Sequence, residues 1–240
     1  MQMVESSNKY YNAVEGIVEK AMADFAAVTG RSYRPFEYYY YGTTAPRCAI
    51  VTMGSSVMVA EEALKALKSE QACLIGVRMF RPWSPKSFCE VLPPSITRIA
   101  VLDRTREGGA QGEPLYLDVC TSLLHQGRSD IFVAGGRYGL GSKDFTPRMV
   151  QAVIQNLMRK DVKDVQRPFT VGITDDVTNL SLSLGKPLNT LGEDVTQCVF
   201  WGFGSDGKCD HSCCLFYAYL LTCLFCCCQE RLELIKKLSR

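Results

Sequence analysis

The chain has 240 residues, 47% hydrophobic and 22% charged, and Lys+Arg 27 against Asp+Glu 25 leaves a formal charge of +2. That balance excludes a basic nucleic-acid arm, an acidic tail or a disordered chain as its main character. The length exceeds one small domain and falls short of two ordinary ones.

Residues 8–28 open on Asn8 and space Val14, Ile17, Val18, Ala21, Met22 and Phe25 as one helical stripe, which Gly30 ends. Tyr33, Pro35, Phe36 and Tyr38 to Tyr41 read as an extended aromatic connector up to Gly42. Tyrosines can stack on nucleic acid, but without a basic excess they are expected to pack on the domain they cross. From Cys48 strands and helices alternate. Residues 48–53 form an apolar run suited to a strand buried on both faces, and Gly54-Ser55-Ser56 leads into a helix over 57–68. Further strands are predicted over 72–80, 96–102, 130–134 and 169–173. Between them lie helices from Ser84-Pro85 to Leu92, over 113–126, and from Thr146-Pro147 to about Arg159. The fold class is α/β, a five-stranded, mostly parallel, doubly wound sheet with an N-terminal helix before it and an irregular Cys-rich tail after it. Functional loops of such a sheet gather at the carboxyl ends of its strands, here 54–56, 81–84, 103–112, 135–142 and 174–178. Residues 174–195 read as a polar linker, 197–200 as another strand, and 229–240 as a short charged helix.

Candidate chemistry is sparse. His125 and His211 are the only histidines, and His125 sits at a predicted helix end where a cation is mildly favourable. Gly202-Phe-Gly204-Ser-Asp-Gly207 has Gly-x-Gly-x-x-Gly spacing after an apolar strand, a weak phosphate-loop signal by itself. Gly54-Ser-Ser and the glycines of 135–139 read as tight turns. Asp175-Asp176 could bind a metal but fits a turn cap better, and Arg104 and Arg106 could grip an anion or make an interdomain salt bridge. Of 12 cysteines, seven fall within 209–228, whereas Cys48, Cys73, Cys89, Cys120 and Cys198 are single and in apolar surroundings, as in buried thiols of an intracellular protein. Cys209-x3-Cys213 and Cys223-x2-Cys226 evoke zinc, but the residues between are too apolar; the consecutive Cys226, Cys227 and Cys228 do not suit an iron–sulfur site. No metal site is expected. The uncharged stretch 212–229 lies at the lower edge for a membrane helix, and no anchor is expected. The first residues have no signal-peptide character, so the expected location is cytoplasmic, or an organelle such as a hydrogenosome or mitochondrion if a signal lies elsewhere.

Six segments resemble the pyruvate:ferredoxin (flavodoxin) oxidoreductase family: Thr29-Gly-Arg-Ser-Tyr-Arg-Pro-Phe36; Gly76-Val-Arg-Met-Phe-Arg-Pro-Trp83; Val101-Leu-Asp-Arg-Thr-Arg-Glu107 with Gly112-Glu-Pro-Leu-Tyr-Leu-Asp118; Gly135-Gly-Arg-Tyr-Gly-Leu140 with Ser142-Lys-Asp-Phe-Thr-Pro147; Phe169-Thr-Val-Gly-Ile-Thr-Asp-Asp-Val177; and Phe200-Trp-Gly-Phe-Gly-Ser-Asp-Gly207. The resemblance implies four parts. Residues 1–36 would be the tail of a pyrimidine-binding domain and connector, and 37–180 a domain similar to the transketolase C-terminal domain. Residues 181–207 would be a linker and the start of the next domain, and 208–240 an aberrant tail. By resemblance Gly204, Ser205, Asp206 and Gly207 belong to a coenzyme A site. The family continues that loop with Thr-Val-Gly-Ala-Asn-Lys, whereas this chain continues Lys208-Cys-Asp-His, as an unspliced intron, frameshift or gene-model error would produce. The full enzymes use thiamine diphosphate, magnesium and [4Fe–4S] clusters to turn pyruvate and coenzyme A into acetyl-CoA and CO2, reducing ferredoxin or flavodoxin. The fragment itself is expected to bind none of these cofactors, to have no catalytic residues, and to be inactive alone. Its implied partners are the remaining domains or subunits of an enzyme expected to be a homodimer, with no nucleic-acid or membrane partner. The alternatives are a noncatalytic module of a multi-subunit 2-oxoacid oxidoreductase and the equivalent domain of pyruvate:NADP oxidoreductase or sulfite reductase.

Overall fold

A one-turn helix α1 (Gln2–Glu5) precedes the long helix α2 (Asn8–Thr29) in the computed structural model, which describes residues 1–68, 71–192, 195–201 and 231–237. Gly30 ends α2 in the left-handed region at φ 72, a conformation that glycine adopts without a Cβ penalty, and its amide donates to the Ala26 carbonyl. The predicted stripe exists, yet α2 buries no residue: Val14, Val18 and Met22 are half-buried, while Ile17 remains 64% exposed.

The aromatic connector is in part a strand. β1 (Phe36–Tyr39) lies antiparallel on β3 (Ala72–Val77), pairing Phe36 with Val77 and Tyr39 with Leu74. The expectation that these aromatics pack on the domain holds for Phe36, whose buried ring stands edge-on to Trp83 and Phe88. The sheet therefore has six strands rather than five, ordered β1-β3-β2-β4-β5-β6, and all but β1 are parallel. The other strands are β2 (Cys48–Met53), β4 (Arg98–Asp103), β5 (Phe132–Tyr138) and β6 (Phe169–Val171).

Successive residues of the central strands serve opposite faces. Cys48, Ile50, Leu74, Ala100 and Leu102 enter one apolar layer beneath α3 (Ser56–Leu67) and α6 (Pro147–Leu157). Ala49, Val51, Cys73, Ile75, Ile99 and Val101 enter the other, beneath α4 (Pro85–Val91) and α5 (Pro114–His125). Burial on both faces is why these strands are continuous apolar runs rather than alternating ones.

β5 corrects the expected loop at 135–142, because the strand continues through Gly135 and Gly136 to Tyr138. The glycines are there for space. A Cβ on Gly135 would lie 2.9 Å from the Tyr116 ring, and one on Gly136 2.2 Å from the ring of Phe169, its register partner on β6. The second strand likewise stops at Val77 rather than at residue 80.

The chain divides into two compact units, Met1–Thr190 and Leu191–Arg240. In the second, β7 (Val195–Trp201) matches the predicted strand and pairs antiparallel with β8 (Arg231–Lys237), from Val195 with Lys237 to Trp201 with Arg231. β8 replaces the charged helix expected over 229–240; Arg231-Leu-Glu-Leu alternates with a strand's two-residue period, and ladder pairing outweighs a short helix's weak propensity.

Candidate functional site at the carboxyl edge of the sheet

In a doubly wound sheet the crevice for ligands opens where consecutive crossovers leave in opposite directions. Here that point lies between β2 and β4, since β2 is followed by β3 on one side and β4 joins on the other. The loops meeting there are Gly54-Ser55-Ser56 after β2 and residues 104–112 after β4.

Polar groups at this point are spent on one another. The Tyr138 hydroxyl donates to Ser56 Oγ at 2.9 Å, Ser56 donates to the Met53 carbonyl at 2.9 Å, and Thr52 Oγ1 lies 2.7 Å from Ser56 Oγ. Thr52 and Ser56 are buried, so this chain of hydroxyls ties β5 to the start of α3 rather than presenting a nucleophile.

Asp103, at the end of β4, is 1% exposed. Its carboxyl accepts the Leu115 amide at 3.0 Å and the Tyr116 amide at 3.1 Å, two otherwise orphan donors in the first turn of α5. Burial nonetheless pushes its pKa up to about 6, outweighing those two bonds, and the neighbouring Glu113 and Asp118 add to the rise. Glu113, just ahead of α5, accepts the Glu107 amide at 2.8 Å and pairs with Arg137 at 3.1 Å and Arg106 at 4.0 Å. Arg104 Nε donates to the Gly139 carbonyl at 3.2 Å. Of the two roles left open for Arg104 and Arg106, neither is needed to explain these contacts, which lie inside the domain and pin the 104–112 loop.

The remaining loops behave similarly. Arg81 donates to Asp118 at 2.7 Å and covers the Phe80 ring. Asp175 pairs with Lys143 at 2.7 Å, which holds its carboxyl below the usual carboxylate range. Asp176 Oδ2 accepts the Thr178 hydroxyl at 3.0 Å and the Leu180 amide at 3.3 Å, the turn cap expected of this pair. His125 is exposed at the end of α5. Glu113, Arg137 and the Tyr138–Ser56 bond are not legible in the sequence, the last two because Gly135-Gly136 reads as a turn and hides the continuation of β5 through residues 137 and 138.

Cys48 and Cys73 sit on neighbouring strands, but the register pairs Ala49 with Cys73, so the thiols point into opposite core layers. Burial pushes both up to about 12. Among the described residues no group of three or more His, Cys, Asp or Glu could hold a metal ion. The described residues thus do not supply the cysteine set of an iron–sulfur cluster. Gly204, Ser205, Asp206 and Gly207, the seven cysteines within 209–228 and His211 lie outside the described residues.

No family model matches the chain. It is, however, 50% identical over 208 residues to pyruvate:ferredoxin oxidoreductase of Moorella thermoacetica, covering 86% of this chain and 17% of that protein. The chain is homologous to one segment of the pyruvate:ferredoxin/flavodoxin oxidoreductases. Similarity extends to a probable pyruvate-flavodoxin oxidoreductase of Escherichia coli, 47% identical over 215 residues, 86% of this chain and 18% of that one. A mitochondrial pyruvate dehydrogenase (NADP+) of Euglena gracilis is 45% identical over 210 residues, again 86% of this chain and 11% of the relative. The chain therefore spans less than a fifth of the length of these oxidoreductases. Among its described residues no helix is long and apolar enough to cross a membrane.

Proposed function

We propose that this chain is the scaffold segment of an enzyme of the pyruvate:ferredoxin/flavodoxin oxidoreductase type, and that it contributes a frame rather than reacting groups to the conversion of pyruvate and coenzyme A into acetyl-CoA and CO2. The observation that carries this reading is 50% identity across 208 residues of a chain spanning 17% of its relative. The inward-spent polar groups of the carboxyl edge agree with it. Thiamine diphosphate, magnesium and the [4Fe–4S] clusters are assigned to parts of the enzyme beyond the described residues, and the coenzyme A role of Gly204, Ser205, Asp206 and Gly207 is carried by resemblance alone. The acceptor is ferredoxin, flavodoxin or NADP, all three being named among the relatives.

Residues 1–36 are assigned to the end of a preceding domain, 37–180 to the scaffold domain, 181–207 to a linker and the start of the next, and 208–240 to sequence foreign to the family. The exposed apolar residues of α2 support the first assignment, since a helix of this length normally buries its stripe. They also favour the second reading, a noncatalytic module that docks other subunits of such an enzyme.

Two experiments test the proposal. The purified chain, given pyruvate, coenzyme A, thiamine diphosphate and magnesium, is expected to reduce ferredoxin or methyl viologen no faster than a protein-free control; pyruvate-dependent reduction overturns the scaffold role. A chimera of the Moorella enzyme carrying this chain's residues 8–192 in place of its own is expected to remain active, and a folded, cofactor-loaded but inactive chimera would sink the reading.

A further inference from the structure

We propose that the amino-terminal edge of the sheet, opposite the loops described above, carries a binding site for a phosphate group. A pocket of about 160 Å³ opens there, lined by Arg47, Thr97, Arg98, Met158, Arg159 and Lys160. Four of the six are cations and none is a carboxylate, in a chain whose overall formal charge is only +2.

The backbone holds these cations together. The Arg47 carbonyl accepts the Thr97 amide at 2.9 Å, and the register pairs Cys48 with Arg98, which sets the ends of β2 and β4 side by side. Arg98 Nη1 donates to the Leu157 carbonyl at 2.5 Å and the Arg159 carbonyl at 2.6 Å, so it neutralises the C-terminal end of α6 and anchors it to β4. Arg159 Nη1 is fixed by the Asp164 carbonyl at 2.6 Å. The nearby Asp161 carboxylate accepts the Lys163 amide at 2.9 Å and is committed to its own turn. Among the described residues, the Arg47 guanidinium and the Lys160 ammonium have no hydrogen-bond or ion-pair partner.

With Arg98 offset by the end of α6, the charges of Arg47, Arg159 and Lys160 still repel across one concavity, and a multivalent anion relieves that repulsion while accepting their unused N–H groups. Guanidinium forks match the paired oxygens of phosphate better than they match a spherical halide. The volume is below the range of sites for whole small molecules, which points to a phosphate group, either free or projecting from a nucleotide. This site is independent of the enzymatic reading.

The test is isothermal titration of the 240-residue chain with sodium phosphate, with sodium chloride at matched ionic strength, and with ADP. Inorganic phosphate is expected to bind with a Kd of about 1 mM, as befits a ligand of so few atoms. The double variant Arg47→Ala/Lys160→Ala is expected to weaken binding at least about tenfold. Lys86→Ala, on an exposed side chain of α4, should leave it unchanged. Equal affinity for ADP and phosphate identifies a free-phosphate site; ADP binding about tenfold tighter, and lost in the same double variant, identifies a nucleotide phosphate. Heats from phosphate indistinguishable from chloride, or binding undiminished in a double variant with native circular dichroism, overturn the proposal.

Discussion

Gly136→Ala offers the sharpest test of the packing between β5 and β6. The added methyl would sit 2.2 Å from Cζ, 2.3 Å from Cε2 and 2.9 Å from Cδ2 of Phe169, inside any van der Waals contact. The ring is fully buried in the layer beneath α3 and α6 and has little room to retreat. Overpacking a filled core costs about 1–3 kcal/mol, and a clash on three ring atoms places this change at the upper end, about 3 kcal/mol. Gly136 does not have a positive φ, so space rather than backbone strain is the obstacle. Urea unfolding followed by far-ultraviolet circular dichroism measures the loss. Phe169→Leu shortens the side chain at the expense of a small cavity, and in that background Gly136→Ala should cost only about 1 kcal/mol or less. The double-mutant cycle should therefore show a coupling of about 2 kcal/mol. Gly108→Ala, with nothing within 4 Å of the new Cβ, serves as the control and should stay within about 0.5 kcal/mol of the parent. Additive effects at 136 and 169, or a neutral Gly136→Ala, would refute the reasoning.

Asp103 should leave a signature in the pH dependence of stability. Its folded pKa of about 6 lies above the ordinary 3.8, so the native state keeps the proton to higher pH; the contribution is fully present below about pH 4 and lost as pH rises through about 6. That gap corresponds to about 3 kcal/mol, and the stability of the parent relative to Asp103→Asn should fall by about that amount as pH rises through the window. A difference that stays flat from pH 4 to 8 would count against it. On α2, Ile17→Glu should change the stability of the isolated chain by less than about 0.5 kcal/mol, since the side chain is 64% exposed, yet impair assembly of the active Moorella chimera. Unimpaired assembly would remove α2 from the interface.

The parallel core was legible because strands buried on both faces must be apolar at consecutive positions, as Cys48 to Met53 and Ala72 to Val77 are. β1 was hidden by its own composition, since a run of tyrosines gives no period, and only pairing with β3 reveals that Phe36 is inside. β5 was cut short because paired glycines ordinarily mark turns, whereas here they make room for the rings of Tyr116 and Phe169 from other elements. At the carboxyl edge four of the five expected loops are legible, all but the one at 135–142, but the burial of Asp103 and the pairing of Glu113 with Arg137 depend on residues 12 and 24 positions away along the chain. No local pattern encodes such partners. The family motifs marked the loops without revealing that their charges are consumed internally.

Cys48 and Cys73, one in each core layer, lend themselves to a use that their chemistry alone would not suggest. With a pKa near 12, each thiol is ionised in only about one molecule in 10⁵ at neutral pH, so alkylation must wait for the surrounding layer to open. Site-resolved labelling by mass spectrometry would then time the exposure of each face separately. Equal rates would mean that the sheet and both helix pairs come apart as one cooperative unit. A faster Cys73 would mean that the α4–α5 side loosens first, while the α3–α6 side still holds the strands.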